Sequence, residues 1–117
     1  MSTTPQNPWI KICPGIRRRT ITSGASMYQM LAELEAGSGM AEHQHPHEQI
    51  VHVVKGRMRL IVEGVPHEMT TGHAFYLASH VMHAVETLED TTVIDTFSPP
   101  REEYLALDEV ARQNAAR

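Results

Sequence analysis

Four histidines crowd one short segment of the chain, and two of them are spaced so that they could hold one metal ion. The segment, "AEHQHPHEQIVHVVKG", runs from Ala41 to Gly56. In an extended stretch, side chains two positions apart point the same way, so His43 and His45 would face the same side. Neutral imidazole is a common ligand of divalent transition metals. The spacing therefore predicts that these two histidines bind a metal together.

The other histidines differ in how well they suit the same role. His83, in "SHVMHAVET", begins an alternating segment and is the best third candidate. If the face of Gln49 looks into the protein, alternation turns His52 outward. The proline before His47 interrupts the strand, so this histidine need not face the same side as His43 and His45. The three histidines in or near turns are expected to be solvated: His67, His73 and His80.

One acid lies on an otherwise apolar strand face, in "VIDTFSPPR". Alternation places Asp95 beside Val93 and Phe97, an unusual composition for a buried face. One reading is that this face is exposed, or that Asp95 makes a structural ion pair with Arg101. The other reading is that Asp95 faces the interior near the metal and serves as general acid and base. Phe97 would then form a dry wall, and Arg101 could orient Asp95 or clamp a substrate carboxylate.

The basic run "RRR" offers further candidates for binding an anion. Arg17 and Arg19 share one strand face, and Arg18 takes the other. Arg17 or Arg19 could pair with a substrate carboxylate; the alternative is that the run is simply a solvated face. Arg59 is exposed by alternation in its strand and is a weaker candidate.

Composition limits the class of protein. With 117 residues the chain is expected to form one small domain, and its formal charge of -4 argues against a general nucleic-acid binder. The single cysteine, Cys13, excludes an internal disulfide and favours a reducing compartment. The start "MSTTPQNPWIK" lacks a signal-peptide pattern, and no apolar run reaches the ~20 residues needed to cross a bilayer. We therefore expect a cytoplasmic protein with neither nucleic-acid nor membrane partners.

Short alternating segments separated by turn residues must position these side chains. Lys55-Gly56 predicts a hairpin, and strands are expected over residues 16–22, 26–35, 49–55, 57–63, 65–69, 73–78, 82–87 and 91–97. Many short strands at even spacing are typical of an antiparallel sandwich or small barrel. After Pro99-Pro100, early acids and late arginines predict a helix with a buried stripe of Tyr104, Leu105, Leu107 and Val110. The predicted regions are an N-terminal arm over 1–14, a barrel over 15–98 and a C-terminal helical segment over 99–117.

The histidine-rich segment resembles the cupin family. Its spacing fits the first cupin motif, with glutamine where glutamate is usual, at positions Gly37, His43, His45, Gln49 and Gly56. The looser second motif keeps both of its glycines, with threonine in place of its proline, and His83 falls where its metal histidine belongs. The resemblance implies an all-β fold, a cupin-type antiparallel β-sandwich or jelly-roll barrel, here with a short C-terminal helix. It also implies one divalent transition metal (Ni, Zn, Fe or Mn) held by His43, His45, Gln49 and His83.

The neutral glutamine has an electrostatic consequence. Three neutral imidazoles and an amide leave the double positive charge of the ion uncompensated, whereas a glutamate would have halved it. Such a site favours a small anionic ligand, for example a carboxylate.

Within the cupins, the chain is similar to the group of the pectin degradation protein KdgF. The shared features are a "GIRRR" start, a glutamine after the H-x-H pair, the pair "MH" that ends at His83, and the ending "DTFSPPRE". The resemblance implies that cyclic 4,5-unsaturated uronates from pectin or alginate breakdown are converted to linear 4-deoxy-5-keto uronates. It also implies catalytic roles for Asp95, Phe97 and Arg101.

Two other functions stay open. The same ligands could serve a cupin dioxygenase or isomerase acting on another small oxoacid, or the protein could bind a small anion without catalysis. We also expect a homodimer, because exposed strand edges must be covered. Trp9, Ile10 and Ile12 would be buried if the N-terminal arm crossed onto a partner's sheet; the alternative is that Trp9 packs on its own barrel.

Overall fold

Ten β-strands and one helix form within residues 6–115, the part of the chain that the computed structural model describes. In chain order the elements are β1 (Ile10–Cys13), β2 (Ile16–Ser23), β3 (Tyr28–Leu34), β4 (Gly39–His43), β5 (Glu48–Lys55), β6 (Arg57–Val62), β7 (Val65–Thr70), β8 (Ala74–Leu77), β9 (His83–Thr87), β10 (Thr91–Ser98) and α1 (Glu102–Ala115). The eight strands expected from the sequence are confirmed, and their ends differ by no more than two residues. β1 and β4 are additional, and β4 ("GMAEH") is too polar and too short to show an alternating pattern.

The strands form two antiparallel sheets that pack on each other as a jelly-roll sandwich, as expected from the sequence. One sheet has six strands in the order β1-β2-β3-β10-β5-β8, and the other has four in the order β4-β9-β6-β7. One hydrophobic core draws residues from both sheets, for example Val51 and Val93 from the first and Met58 and Leu60 from the second. The chain passes from the second sheet to the first between β4 and β5, at residues 44–47. The histidine-rich segment therefore lies where the two sheets meet.

Strand β5 shows how alternation sets the inner and outer faces. Its inward residues Gln49, Val51 and Val53 are buried, whereas Ile50 and His52 are exposed. The hairpin predicted at Lys55-Gly56 is wrong, because β5 lies in the six-stranded sheet and β6 in the four-stranded one, so the two strands do not pair. The connection is a tight turn between the sheets, through a glycine at residue 56 that has a φ of 108°. A Cβ at that position would lie 2.4 Å from the backbone oxygen of Asp90, so only glycine fits there. The prediction that His52 faces away from the interior is confirmed.

The helix α1 packs on the six-stranded sheet differently from the prediction. Tyr104 and Leu105 are half-buried against Tyr28, Met30 and Phe97, as expected. The other two residues of the predicted stripe are exposed, Leu107 by 48% and Val110 by 52%. The most buried helical position is instead an acid, Asp108, which is 1% exposed and forms an ion pair with Arg18. The helix thus packs on the sheet through a buried ion pair where the prediction had apolar contacts. A pattern of apolar residues could not indicate such a pair.

The N-terminal segment joins the sheet of its own chain. Ile10–Cys13, part of the predicted arm, forms β1 and pairs with β2. Trp9 is half-buried, with the guanidinium carbons of Arg17 and Arg19 4.2 and 4.4 Å from its ring centroid. This is the alternative in which Trp9 packs on its own barrel. Residues 1–5 of the predicted arm lie outside the described part of the chain.

Among the described residues, no helix combines the length and the apolar composition that a membrane span requires.

Candidate metal centre

Three histidines converge where the two sheets meet. His43 ends β4, His83 begins β9, and the two are cross-strand partners with ring centroids 4.2 Å apart. His45 reaches the same place from the connection to β5, with its ring centroid 5.0 Å from that of His83. Each ring offers one nitrogen within 4.8 Å of those of the other two, so the group could hold a metal ion. The convergence of all three histidines predicted as ligands is thereby confirmed.

Backbone carbonyls fix the orientation of the three rings. The Nδ1 atoms of His43, His45 and His83 lie 2.8, 3.0 and 2.9 Å from the carbonyl oxygens of residues 41, 47 and 81. A carbonyl oxygen only accepts, so each Nδ1 must carry the proton and donate it. The Nε2 lone pair of each ring is then left for a ligand. Metal-binding histidines are held by such outer hydrogen bonds in known sites.

Gln49 brings an amide oxygen to this centre. Its Oε1 lies 3.1 Å from Nε2 of His45, and its Nε2 donates to Oδ1 of Asp95 at 2.9 Å. Burial lowers the pKa of His45 to about 4, and the charge of Arg101 acts in the same direction, so this ring is neutral near pH 7. Two acceptor atoms then face each other without a proton between them. A cation placed there would satisfy both, so the residues present fit a divalent metal.

His47 has a supporting role that its position after a proline did not indicate. Its carbonyl oxygen accepts the hydrogen bond from His45, and its ring lies edge-on to Phe97 with centroids 6.3 Å apart. Burial lowers the pKa of the His47 imidazole, and the charge of Arg101 adds to that effect.

Replacing His45 with alanine is expected to remove most of the bound metal, because the ring supplies one of three convergent nitrogens. His52→Ala is the matched control, since His52 is exposed on the outer face of β5. Metal content per protein after loading and desalting, measured by elemental analysis, checks both. A loss in His52→Ala as severe as that in His45→Ala would contradict the strand register that turns His52 outward.

Asp95 faces the interior beside these histidines. It is 7% exposed and lies on β10, where its neighbours across the strand pairing are Val51 on β5 and Met30 on β3. The reading in which this face is exposed is therefore wrong. The ion pair of Arg101 is with Glu103, at 2.6 Å, instead of with Asp95. Burial raises the pKa of Asp95 to about 6, although the hydrogen bond from Gln49 and the charge of Arg101 both act to lower it.

This raised pKa predicts how Asp95 affects stability in the metal-free protein. Between the ordinary pKa of an aspartate, 3.8, and the raised pKa of about 6, the folded state binds more protons at Asp95 than the unfolded state does, so stability falls as the pH rises through this window. The variant Asp95→Asn has no ionisable group at this position, so it does not lose stability in this way as the pH rises. Its melting temperature, measured with a chelator present, should exceed that of the wild type at pH 7.5 and lose this advantage by about pH 4. A constant difference across the range would contradict the assignment.

Phe97 and Arg101 complete the cavity next to the histidines. Phe97 is buried on the same face of β10 as Asp95, with its ring centroid 5.7 Å from that of His45. The guanidinium carbon of Arg101 lies 4.7 Å from the Phe97 ring centroid, and the Arg101 side chain is only 12% exposed. Its positive charge contributes to lowering the pKa of His45 and of His83, after burial in each case. The cavity thus combines apolar walls with one acid and one guanidinium.

The other arginines expected to bind an anion lie elsewhere. Arg17 is exposed on the outer face of β2 and pairs with Glu33, and Arg19 contacts Trp9. Among the described residues, the arginine that lines the cavity is Arg101. The prediction of a substrate-binding role for Arg17 or Arg19 is therefore wrong for this cavity, because alternation directs both to the outside. Arg18, directed inward, was not expected to be buried.

Comparison with known proteins agrees with this geometry. The family described as "Cupin domain" matches residues 30–97. The pectin degradation protein KdgF of Dickeya dadantii (strain 3937) is 33% identical over 102 residues, which cover 86% of this chain and 93% of that protein.

Two solved structures are also similar to this one. KdgF from Halomonas sp. superimposes with a TM-score of 0.79 at 33% identity, covering 83% of this chain and 92% of that chain. An RmlC-like cupin from Shewanella frigidimarina gives a TM-score of 0.81 at 29% identity, covering 88% and 93%.

Proposed function

Because the chain belongs to the cupin family and, within it, to the group of the pectin degradation protein KdgF, we propose that it is a metal-dependent enzyme that opens cyclic 4,5-unsaturated uronates. The products would be linear 4-deoxy-5-keto uronates, formed from fragments of pectin or alginate. The observation that carries the proposal is the buried acid Asp95, which accepts a hydrogen bond from Gln49 beside three convergent histidines.

The metal would be held by the histidine nitrogens and by the Gln49 amide oxygen: His43, His45, His83 and Gln49. The amide suits this role because its NH2 group donates to Asp95, which turns Oε1 toward His45. A bound divalent ion would supply fixed positive charge to hold an anionic substrate. All four ligands are neutral, so none of them reduces that charge. The metal would be a divalent transition metal such as Ni, Zn, Fe or Mn.

Arg101 and Phe97 are the residues that would bind the substrate. The guanidinium of Arg101 offers paired N–H donors that match a carboxylate, and its side chain is largely buried at the cavity. Phe97 supplies a flat apolar wall on which a sugar ring can rest. An anionic sugar is thereby favoured over a neutral one.

Asp95 is the residue that would transfer the proton. Opening the ring breaks the bond between C1 and the ring oxygen while the C1 hydroxyl loses its proton and becomes an aldehyde. The ring oxygen takes up a proton and becomes an enol hydroxyl at C5. This enol becomes a ketone when a proton is added to C4 and the enol hydroxyl loses its own. Burial raises the pKa of Asp95 to about 6 in the metal-free protein, and a bound cation would act to lower it. A carboxyl balanced in this way can both accept and deliver a proton. Asp95 is the buried acid placed to do so.

The experiment that tests the proposal is turnover of unsaturated galacturonate by the metal-loaded protein. Loss of the ultraviolet absorbance of the 4,5-double bond is expected, and a chelator should abolish it. Oxygen uptake with bound iron and another small oxoacid would favour a dioxygenase instead. Tight binding of the uronate without turnover would favour a non-catalytic, anion-binding cupin.

We also propose that the protein is a homodimer. The outer face of the six-stranded sheet exposes the apolar side chains of Ile50, Val54 and Tyr76, which a second copy could cover. Light scattering at micromolar concentration should give twice the mass of the chain. A monomeric mass would contradict this proposal.

A further inference from the structure

Guanidinium groups and aromatic rings alternate in space between the helix and the metal centre. The guanidinium carbon of Arg18 lies 4.3 Å from the ring centroid of Tyr104. That of Arg101 lies 4.2 Å from the same ring and 4.7 Å from the ring of Phe97. Phe97 in turn contacts the ring of His45 edge-on. We call Arg18, Tyr104, Arg101 and Phe97 the stack.

The inner end of the stack is fixed. Arg18 and Asp108 are both about 1% exposed at their side chains and form an ion pair at 2.9 Å. Asp108 also accepts a hydrogen bond from Thr20, and Arg18 donates to the backbone oxygen of Tyr104 at 3.2 Å. Tyr104 is therefore held both at its ring and at its backbone.

The outer end of the stack depends on Tyr104 for its position. Arg101 lies just before α1, and its ion pair is with Glu103, whose side chain is 51% exposed. Exposed ion pairs are weak and do little to fix a long side chain. Nε and Nη2 of Arg101 both lie 2.6 Å from Oε1 of Glu103. Contact of the guanidinium with two ring faces leaves its other edge, formed by Nη1 and Nη2, for a carboxylate. The rings of Tyr104 and Phe97 are thus what keeps Arg101 at the cavity.

We propose that Tyr104 is a positioning residue, which holds the Arg101 guanidinium against Phe97 so that its N–H edge receives the substrate carboxylate. This deepens the proposed function and rests on it. The hydroxyl is not required, because the contact is made by the ring. An aromatic replacement should therefore serve, and an aliphatic one should not.

The first readout is the position of Arg101, which does not depend on catalysis. The Nε–H of Arg101 donates to Oε1 of Glu103. In an NMR spectrum of the metal-free protein, its signal should be shifted upfield by the two rings, relative to an arginine with the same carboxylate bond and no ring contact. Arg101→Lys assigns the signal by its loss. The shift should be largely lost in Tyr104→Leu and in Tyr104→Met, and regained in Tyr104→Phe. Leu107→Ala is the control for a change in α1, because Leu107 is exposed on the same helix.

The second readout is the kinetics of the metal-loaded variants with unsaturated galacturonate. KM should rise about 10-fold in Tyr104→Leu, the effect of losing one cation–π contact, while kcat falls less than KM rises. Tyr104→Phe should restore KM, and metal content should match the wild type throughout. A role confined to stability would change the amount of folded protein without changing KM.

The outcomes separate the two proposals. A wild-type Arg101 signal without an upfield shift, or one that stays in place in the aliphatic variants, overturns the positioning role. So does a signal that moves while KM is unchanged. If the wild type has no turnover, the proposed function fails, and titration with D-galacturonate decides the positioning role. The sugar acid should then perturb the Arg101 signal in the wild type and in Tyr104→Phe and leave it unperturbed in Tyr104→Leu; any other pattern overturns it.

Discussion

Asp95→Asn is expected to reduce turnover of unsaturated galacturonate about 100-fold or more, the scale of general acid and base catalysis. The change keeps the size of the side chain and its ability to accept the hydrogen bond from Gln49, but it removes proton transfer. Metal content should therefore stay at the wild-type level, since the amide of Gln49 keeps its partner. Steady-state kinetics together with elemental analysis of the same sample checks both expectations.

The matched control for this prediction is Asp90→Asn. Asp90 is exposed in the turn before β10 and accepts a hydrogen bond from the backbone of Ala36, which an asparagine oxygen can also accept. Its turnover should stay close to that of the wild type. Near-full turnover in Asp95→Asn would exclude the proposed acid and base role, even with the metal site intact.

Asp108→Ala is expected to lower the free energy of unfolding by about 3–5 kcal/mol. The change leaves the buried guanidinium of Arg18 without its ion-pair partner and deprives Thr20 of an acceptor. An unpaired buried charge is costly, because the protein interior solvates it poorly. Denaturant-induced unfolding of the metal-free protein measures the change.

Glu109→Ala is the matched control for that measurement. Glu109 is the next residue of the same helix, and its ion pair with Arg112 is exposed on both sides. Such pairs contribute about 0–1 kcal/mol, so this variant should unfold much like the wild type. Equal effects of the two substitutions would mean that the buried pair does not anchor α1.

Strand alternation made much of the fold and the centre predictable. It placed Gln49 and His52 on opposite faces of one strand, and Asp95 on the same face as Val93 and Phe97; in the structure Gln49 and Asp95 are buried and His52 is exposed. The two-residue spacing of His43 and His45 likewise indicated that both rings serve one centre. These inferences succeed because each depends only on local geometry, which the sequence specifies directly.

The helix and its contacts could not be predicted in the same way. Arg18 and Asp108 are 90 residues apart in sequence, so no local pattern links them. Burying both charges contradicts the usual preference for apolar residues, and the pair is tolerated only because its partners are supplied by the fold. The role of Tyr104 depends on the same long-range contacts. Arg17 and Arg19, which are visible as a basic run, were considered as carboxylate-binding residues alongside Arg101, the arginine that lines the cavity.

Proton transfer to C4 of the sugar is the most direct test of the central claim, a metal-dependent ring opening of unsaturated uronates. The reaction of metal-loaded protein with unsaturated galacturonate can be followed by proton NMR in D2O. We expect the vinyl signal at C4 to disappear much faster than in a protein-free control, with one deuteron at C4 in the first-formed linear product. A vinyl signal that disappears no faster than in the protein-free control would contradict the account.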